Sequence, residues 1–268
     1  MAERVAPAIG RTFRFINKIG LVEIFLVTVA FIFYYVSRGL VVERTAEATT
    51  RAVHVVELEQ RLGIFLWETK MQAWVASSEI LAQIFNNIYV YAHIPLIGGI
   101  GLWLFFFHRR RYVLLRNAFL ISGAIGLVIF NLLPTAPPRL LPWPLSDQVV
   151  DTMSAFSRIH YDMNPATFVN HYAAIPSFHF GWVLLLSIGI IWTVRHFWGI
   201  AFGVTMPAAM FVAVVATGNH FIIDVLAGTV VALVGLGLAL LLQRYGHRLW
   251  RLMLPDRIFQ HLARSPEA

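Results

Sequence analysis

Six apolar runs, each long enough to cross a bilayer, constrain the fold of this chain more than any other feature. Runs of about 18 or more apolar residues with few charges are typical of transmembrane helices. The predicted spans are residues 20–41, 80–107, 113–133, 178–195, 197–216 and 221–242. Only 13% of the 268 residues are charged, against about 25% in an average soluble domain. The sequence therefore predicts an all-α, polytopic membrane protein with a bundle of six transmembrane helices.

The positive charges are distributed unevenly around these spans. Fourteen of the 21 Lys and Arg residues fall on one side of the predicted membrane, in 1–18, 109–116 and 244–268 and at Arg195. Because positive residues tend to stay cytoplasmic, we expect both termini to be cytoplasmic and the loops 42–79 and 134–177 to lie outside. The net charge of +7 is then a topology signal, and no nucleic-acid partner is expected.

The domain organisation follows from the same pattern. A basic tail, residues 1–18, precedes one membrane domain, residues 19–243, and a second basic tail, residues 244–268, follows it. The first span resembles a signal peptide, but it is longer than a typical apolar h-region and no small-residue cleavage site follows, so we predict a retained helix. The chain has no cysteine, which excludes disulfides, thiolate metal sites and a cysteine nucleophile.

The segment 52–75 carries charges but is also amphipathic. Val55, Leu58, Leu62 and Phe65 recur at helical spacing, and two tryptophans lie nearby. This pattern predicts an interfacial helix on the outer membrane surface. A helix packed over the mouth of the bundle would give the same pattern.

Prolines interrupt the chain after the third span. Residues 134–144 contain five prolines, so the third span must stop near Leu133. The connection from there to Pro176 is long enough to be functional. Pro176 and Ser177 suit the start of the fourth helix.

Four polar groups from separate segments are predicted to meet at one membrane boundary. Arg139 follows the third span, His179 opens the fourth, and His220 and Asp224 begin the sixth. On the predicted topology all four lie at the extracytoplasmic side. Ionisable residues at membrane depth are energetically costly and usually mark a working site.

These residue types suit phosphoryl transfer. His220 and Asp224 are four residues apart and share a helical face, so the carboxylate can keep one imidazole nitrogen protonated and leave the other as nucleophile or base. His179 can act as a general acid. Ser177 and the amides at the start of the fourth span can cradle a phosphate, and Arg139 can clamp its oxygens.

Other interpretations remain open from the residues alone. His220 and Asp224 suit a structural pair, and together with His179 they suit a metal-dependent hydrolase. His93, in mid-span near Tyr89, suits a helix–helix hydrogen bond better than a substrate pocket. A non-catalytic lipid-binding or transport bundle is the alternative from another class, although the paired broken helices typical of transporters are not found. Four residues of the outer loop are expected to be solvated: Arg158, His160, Tyr161 and Asp162.

Three motifs carry a resemblance to a known family: PTAPPRL (134–140), NHYAAIPSFHFGW (170–182) and GNHFIIDVLAG (218–228). At these residues the chain resembles the type 2 phosphatidic acid phosphatase superfamily. More narrowly, it is similar to the branch that contains inositol phosphorylceramide synthase and its bacterial relatives. The motifs and the matching helix order cover about residues 80–242, and the bacterial relatives suggest a plasma-membrane location.

The resemblance implies a six-helix bundle and a two-step reaction through a phosphohistidine. His220 matches the nucleophile, Asp224 the residue that orients it, and His179 the acid that protonates the leaving group. Arg139 and Ser177 match the phosphate-binding positions. No metal or other cofactor and no protein partner is implied. The candidates for a substrate pocket are Tyr89, His93 and Asn170.

Two positions depart from the phosphatases of that family. These carry a lysine seven residues before the first-motif arginine and an arginine six residues before the nucleophilic histidine, where this chain has Leu132 and Val214. With fewer cations around the phosphate, the chain is more similar to the head-group-transferring branch, so the resemblance implies transfer of a phosphoinositol-type head group from an outer-leaflet lipid phosphate to an alcohol acceptor. The alternative is a phosphatase acting on a polyprenyl or glycerolipid phosphate.

Overall fold

The computed structural model describes ten residues between 20 and 32, all of them helical, and then residues 44–156 and 172–253, with side chains described up to Gly246. From residue 44 onward the helices are α1 (Thr45–Arg61), α2 (Phe65–Ala76), α3 (Glu79–Asn87), α4 (His93–Phe107), α5 (Arg109–Leu132), α6 (Thr152–Phe156), α7 (Phe178–Val194), α8 (Phe197–Ala216) and α9 (Ile222–Met253). A π-helical turn, Ile88–Ala92, joins α3 to α4, and 3₁₀ turns occupy Pro138–Leu140 and Leu145–Gln148. The described residues therefore confirm an all-α fold, with one isolated β-bridge.

Four helical stretches are long and apolar enough to cross a membrane: Glu79–Phe107, Arg109–Leu132, Phe197–Ala216 and Ile222–Gly246. They agree with four predicted spans to within a few residues at most ends, although the last helix continues to Met253. The apolar helix α7 has 17 residues, about 26 Å at 1.5 Å per residue. Much of the first predicted span lies outside the described residues, so the count of six remains a prediction.

The centre of the bundle is formed by α5, α7 and α9, with α8 packed against α7. Leu114 and Ala118 of α5 contact Leu185 of α7 and Ala232 of α9 in one buried apolar cluster. Large apolar side chains on the outside of the bundle are exposed, among them Leu102, Phe106, Val204 and Val230. A surface of this kind is expected where lipid, rather than water, surrounds the helices.

The helices α7 and α9 cross with their backbones in contact. A Cβ atom on Gly228 of α9 would overlap the backbone of Ser177, and one on Gly181 of α7 would lie 2.7 Å from the carbonyl oxygen of Gly228. Only glycine permits this approach. The crossing holds the start of α7 against the first turns of α9.

The segment 52–75 forms two helices, and the prediction of a single interfacial helix is wrong. The break lies between α1 and α2, where Gly63 adopts a left-handed conformation with φ +70°, which glycine adopts without steric cost. Leu58 and Leu62, expected on the apolar face, are exposed.

The alternative, a segment packed over the mouth of the bundle, describes α1 and α2 better. Ala52 and Val56 of α1 are buried in a cluster with Ala136, Leu141 and Phe221. The exposed side of α2 carries Trp67 and Trp74, the residue type that membrane interfaces favour. Contact of that side with the membrane surface stays a prediction.

Candidate active site

Backbone hydrogen bonds join the three motifs at one end of the bundle. The amide of Thr135 donates to the carbonyl of Tyr172 at 2.9 Å, and the amide of Ala174 donates back to Thr135 at 3.1 Å. The amide of Arg139 donates to the carbonyl of Gly218 at 2.9 Å. Because Gly218 has φ +72°, it turns the chain directly after α8. The first motif thus touches both of the others.

The second and third motifs also contact each other directly. The amide of Ser177, just before α7, donates to the carbonyl of Asp224 in the first turn of α9 at 3.0 Å. The N-termini of α7 and α9 therefore lie side by side, at the same end of the bundle as the C-terminus of α5. The structure brings together Arg139, Ser177, His179, His220 and Asp224, as the sequence predicts.

The hydrogen bonds of His220 determine which ring nitrogen is available. Its Nδ1 lies 2.9 Å from the carbonyl oxygen of Ala174 and 3.3 Å from Oδ2 of Asp224. Both neighbours are acceptors, so Nδ1 carries the hydrogen and Nε2 keeps its lone pair. The ring is only 5% exposed, and this arrangement suits a nucleophile or a base.

His179 lies in a stack of rings beside His220. Its ring centroid is 4.4 Å from that of Tyr89, 4.6 Å from that of His93 and 6.0 Å from that of His220. Tyr89 lies in the π-helical turn and His93 directly after it, so both side chains reach the same partner. The Nδ1 atom of His93 is buried without a hydrogen-bond partner, and thus the expected helix–helix hydrogen bond is not made through this atom. Asn170 lies outside the described residues, as do the four predicted solvated residues of its loop.

The N-terminus of α7 is open. Ser177 occupies the N-cap position but makes no side-chain cap, and its Oγ is buried without a partner. Among the described residues, the amides of Phe178, His179 and Phe180 have no acceptor. A helix end with unsatisfied amides and a partial positive charge suits an anion.

The N-terminus of α9 is fully occupied by carboxyl groups, which sequence analysis missed. Three consecutive amides donate to three different side chains: Phe221 to Asp224 at 2.9 Å, Ile222 to Glu68, and Ile223 to Glu59 at 2.9 Å. The two glutamates come from α2 and α1. Both are fully buried, and burial raises the pKa of each carboxyl.

Arg139 is oriented by a residue of the third motif. Its Nε donates to Oδ1 of Asn219 at 3.1 Å. The side-chain Nδ2 of Asn219 in turn donates to Oγ1 of Thr217 at 2.7 Å. No role for Asn219 was predicted, although this residue lies directly before His220. Its part in fixing the guanidinium depends on the turn after α8, which the sequence pattern does not specify.

A comparison with protein families decides the affiliation of the chain. The family model described as the PAP2 superfamily matches residues 53–238, which is more than half of the sequence. The chain belongs to the PAP2 superfamily. No curated protein and no solved structure matches at a significant level. PAP2 membership indicates a phosphatase or phosphotransferase, and with the apolar helices it indicates an integral membrane protein.

Two positions at which a cation was considered, Leu132 and Val214, are apolar in this PAP2 superfamily member. Leu132 is 64% exposed at the end of α5, and Val214 is fully buried in an apolar cluster with Val183 and Met210. Neither position supplies a cation to the site.

Among the described residues, no group of three or more His, Asp or Glu side chains is arranged to hold a metal ion.

Proposed function

We propose that this PAP2 superfamily member is a lipid phosphotransferase that forms a phosphohistidine on His220. The observation that carries the proposal is the pair of acceptors at Nδ1 of His220, because it leaves Nε2 as the nitrogen with a free lone pair. The neighbouring carboxylate of Asp224 stabilises the positive charge that the ring acquires during attack.

The reaction takes two steps. In the first, Nε2 of His220 bonds to phosphorus, the bond from phosphorus to the lipid oxygen breaks, and protonated His179 gives that oxygen its proton. In the second, the acceptor hydroxyl gives its proton to His179, its oxygen bonds to phosphorus, and the bond to His220 breaks. The enzyme returns to its starting state.

The phosphate charge is met by Arg139 and the start of α7. The guanidinium supplies a planar, permanently charged donor set, and the open amides with Ser177 supply a neutral cradle. Tyr89 and His93, whose rings contact that of His179, are proposed to contact the substrate, and Asn170, outside the described residues, stays a candidate for the same pocket. Leu132 and Val214 favour head-group transfer, of phosphoinositol type, over simple hydrolysis.

Hydrolysis of a polyprenyl or glycerolipid phosphate is the second candidate, supported by family membership. It uses the same phosphoenzyme, with water in place of the alcohol. Two parallel incubations of the purified protein separate the candidates, one with labelled phosphatidylinositol and candidate acceptors and one with a labelled polyprenyl or glycerolipid phosphate. Labelled transfer product without free phosphate supports transfer, whereas free phosphate from a polyprenyl or glycerolipid phosphate, with no transfer product, supports hydrolysis.

The division of labour between the histidines tests the mechanism. His220→Ala should abolish turnover and any covalent adduct, and His179→Ala should fail on lipids yet turn over an ester with a nitrophenolate leaving group, which needs no proton. Asp224→Asn should fall between them. Alkaline quenching and peptide mapping locate the label, because phosphohistidine survives base. A label on His179 would reverse the roles.

We also propose that the site faces the extracytoplasmic side, with both termini cytoplasmic. Single cysteines report this cleanly in a cysteine-free chain. A cysteine at the exposed Gln148 should react with an impermeant maleimide on intact cells, and one at Ser265 should not. The opposite labelling pattern would exclude an outer-leaflet substrate.

A further inference from the structure

We propose that Glu59 and Glu68 share one proton and act as positioning residues for the catalytic pair His220 and Asp224. Neither glutamate touches the reacting atoms. They act through the first turn of α9. Only the kinetic test of this assignment rests on the proposed function.

The two glutamates, which lie on α1 and α2, cap the N-terminus of α9 with hydrogen bonds. Oε1 of Glu68 accepts from Ile222, and Oε1 of Glu59 accepts from Ile223 at 2.9 Å. The next residue is Asp224, whose Oδ2 lies 3.3 Å from His220. Glu59 and Glu68 therefore fix the backbone that presents Asp224. Few glutamates are fully buried in proteins without such partners.

The remaining oxygens of the two carboxyls indicate a shared proton. Oε2 of Glu59 and Oε2 of Glu68 are buried and find no donor among the described residues, yet the two groups lie within hydrogen-bonding reach of each other. Two anions in that position would repel, whereas one proton between them makes a hydrogen bond and halves the charge.

The pKa shifts agree with this arrangement. Burial, reinforced by the neighbouring Glu59, raises the pKa of Glu68 to about 10, so that Glu68 holds the proton at neutral pH. Burial also raises the pKa of Glu59. Asp224 of α9 faces the pair and adds to the rise of both pKa values. The single negative charge left on the pair complements the positive end of the α9 dipole.

Loss of these caps should affect catalysis more than binding. Catalytic groups displaced by about 1 Å lose about 100-fold in rate. The substrate contacts proposed for Arg139 and α7 lie on other segments. A disturbed α9 start should therefore lower kcat while KM changes little.

Glutamine variants distinguish a shared proton from two independent caps. In Glu68→Gln the new amide donates to the Glu59 anion. In Glu59→Gln the proton stays on Glu68, because burial is the main cause of its raised pKa, and the Glu68 carboxyl donates to the new amide oxygen. Each single glutamine variant keeps both caps and a hydrogen bond between the two side chains, and should keep kcat within about threefold of the native value. Either alanine variant removes a cap and should lose tenfold or more in kcat. Glu57→Gln, at an exposed position on the same helix, is the matched control.

Infrared difference spectroscopy tests the proton without any substrate. At pH 7 the native protein should show the C=O stretch of a protonated carboxyl that disappears in Glu68→Gln, shifts in Glu59→Gln because its acceptor changes, and is unchanged in Glu57→Gln. A band that is unchanged in Glu68→Gln or in Glu59→Gln overturns the shared proton, whatever the enzyme does. Native kcat in folded alanine variants overturns the positioning role. If the native protein turns over no lipid phosphate, the proposed function fails while the infrared result still stands.

Discussion

The N-termini of α7 and α9 lie side by side, yet they are used in opposite ways. The first amides of α9 are all taken, by Asp224, Glu59 and Glu68. The first amides of α7 have no acceptor among the described residues, and the hydroxyl of Ser177 beside them is unpartnered. One helix end is filled by the protein itself, and the other is left for an anion.

This difference separates two tasks that a phosphoryl-transfer site must perform. A nucleophile needs a fixed position, which the carboxyl caps give to the start of α9. A phosphate needs unsatisfied donors, which α7 provides. Two adjacent open helix ends would compete for the same anion, so filling one defines where the phosphate can bind. Variants at the two helix ends, and at the contact between them, can test this division.

The largest effect is expected from Gly228→Ala, which pushes the two helix ends apart. The new Cβ would overlap the backbone of Ser177, so the start of α7 must move. Overpacking of this kind costs about 1–3 kcal/mol of stability, and we expect about a 100-fold loss of kcat/KM. Gly237→Ala is the control on the same helix, since nothing lies within 4 Å of its Cβ. Equal activity of the two variants would contradict the close crossing.

Arg139→Lys tests whether α7 can hold the phosphate alone. Lysine keeps the charge but loses the planar fork and the Nε donor to Asn219. We expect about a tenfold loss of kcat/KM, or roughly 1.4 kcal/mol of transition-state stabilisation. Arg51→Lys, in an exposed ion pair on α1, serves as the control. Full activity of Arg139→Lys would show that the amides of α7 suffice.

The pH dependence of stability in Glu68→Gln tests whether the cap at the N-terminus of α9 is protonated. The pKa of Glu68 is raised from 4.5 to about 10 by burial, so the folded state binds more protons than the unfolded state between these values. Stability of the native protein should therefore fall as the pH rises from about 5 to 10. Glu68→Gln should flatten that fall. At pH 9 the variant should unfold at a higher temperature than the native protein, with a free energy of unfolding that is higher by about 1 kcal/mol or more. Parallel stability curves would contradict a protonated Glu68.

Ser177→Ala should have the smallest effect, and in opposite directions for stability and activity. The hydroxyl has no partner among the residues that the structure describes, so its removal should leave the unfolding temperature unchanged or raise it. If the hydroxyl contacts phosphate, KM should rise a few-fold. A lowered unfolding temperature with unchanged KM would make Ser177 a structural residue.

Much of the fold could be predicted because apolar runs report helices directly. The bounds of α8 agree with the predicted 197–216. Helix α5 ends at Leu132, before Pro134, as the proline cluster requires. The positions of His179, His220, Asp224 and Arg139 at the ends of the predicted spans likewise predicted that they meet at one end of the bundle. These inferences needed only residue type and sequence separation.

The sequence did not reveal what depends on long-range contacts. Glu59 and Glu68 lie in a charged segment that resembles a solvated helix, and their burial depends on the turn at Gly63 and on amides more than 150 residues away. The open end of α7 was predicted only in part, because the amide of Ser177 is used by Asp224. Charge alone does not tell a buried cap from a surface residue.

The π-helical turn between α3 and α4 carries a consequence for insertions and deletions. Such a turn holds one residue more than an α-helical turn, so removing one residue from Ile88–Ala92 would rotate everything before it by about 100° relative to α4. Before the turn, Asn86 hydrogen-bonds to Thr152; after it, His93 contacts His179. A chain shortened by that one residue has to give up one of these contacts, so the length of this segment is as constrained as the identity of its side chains.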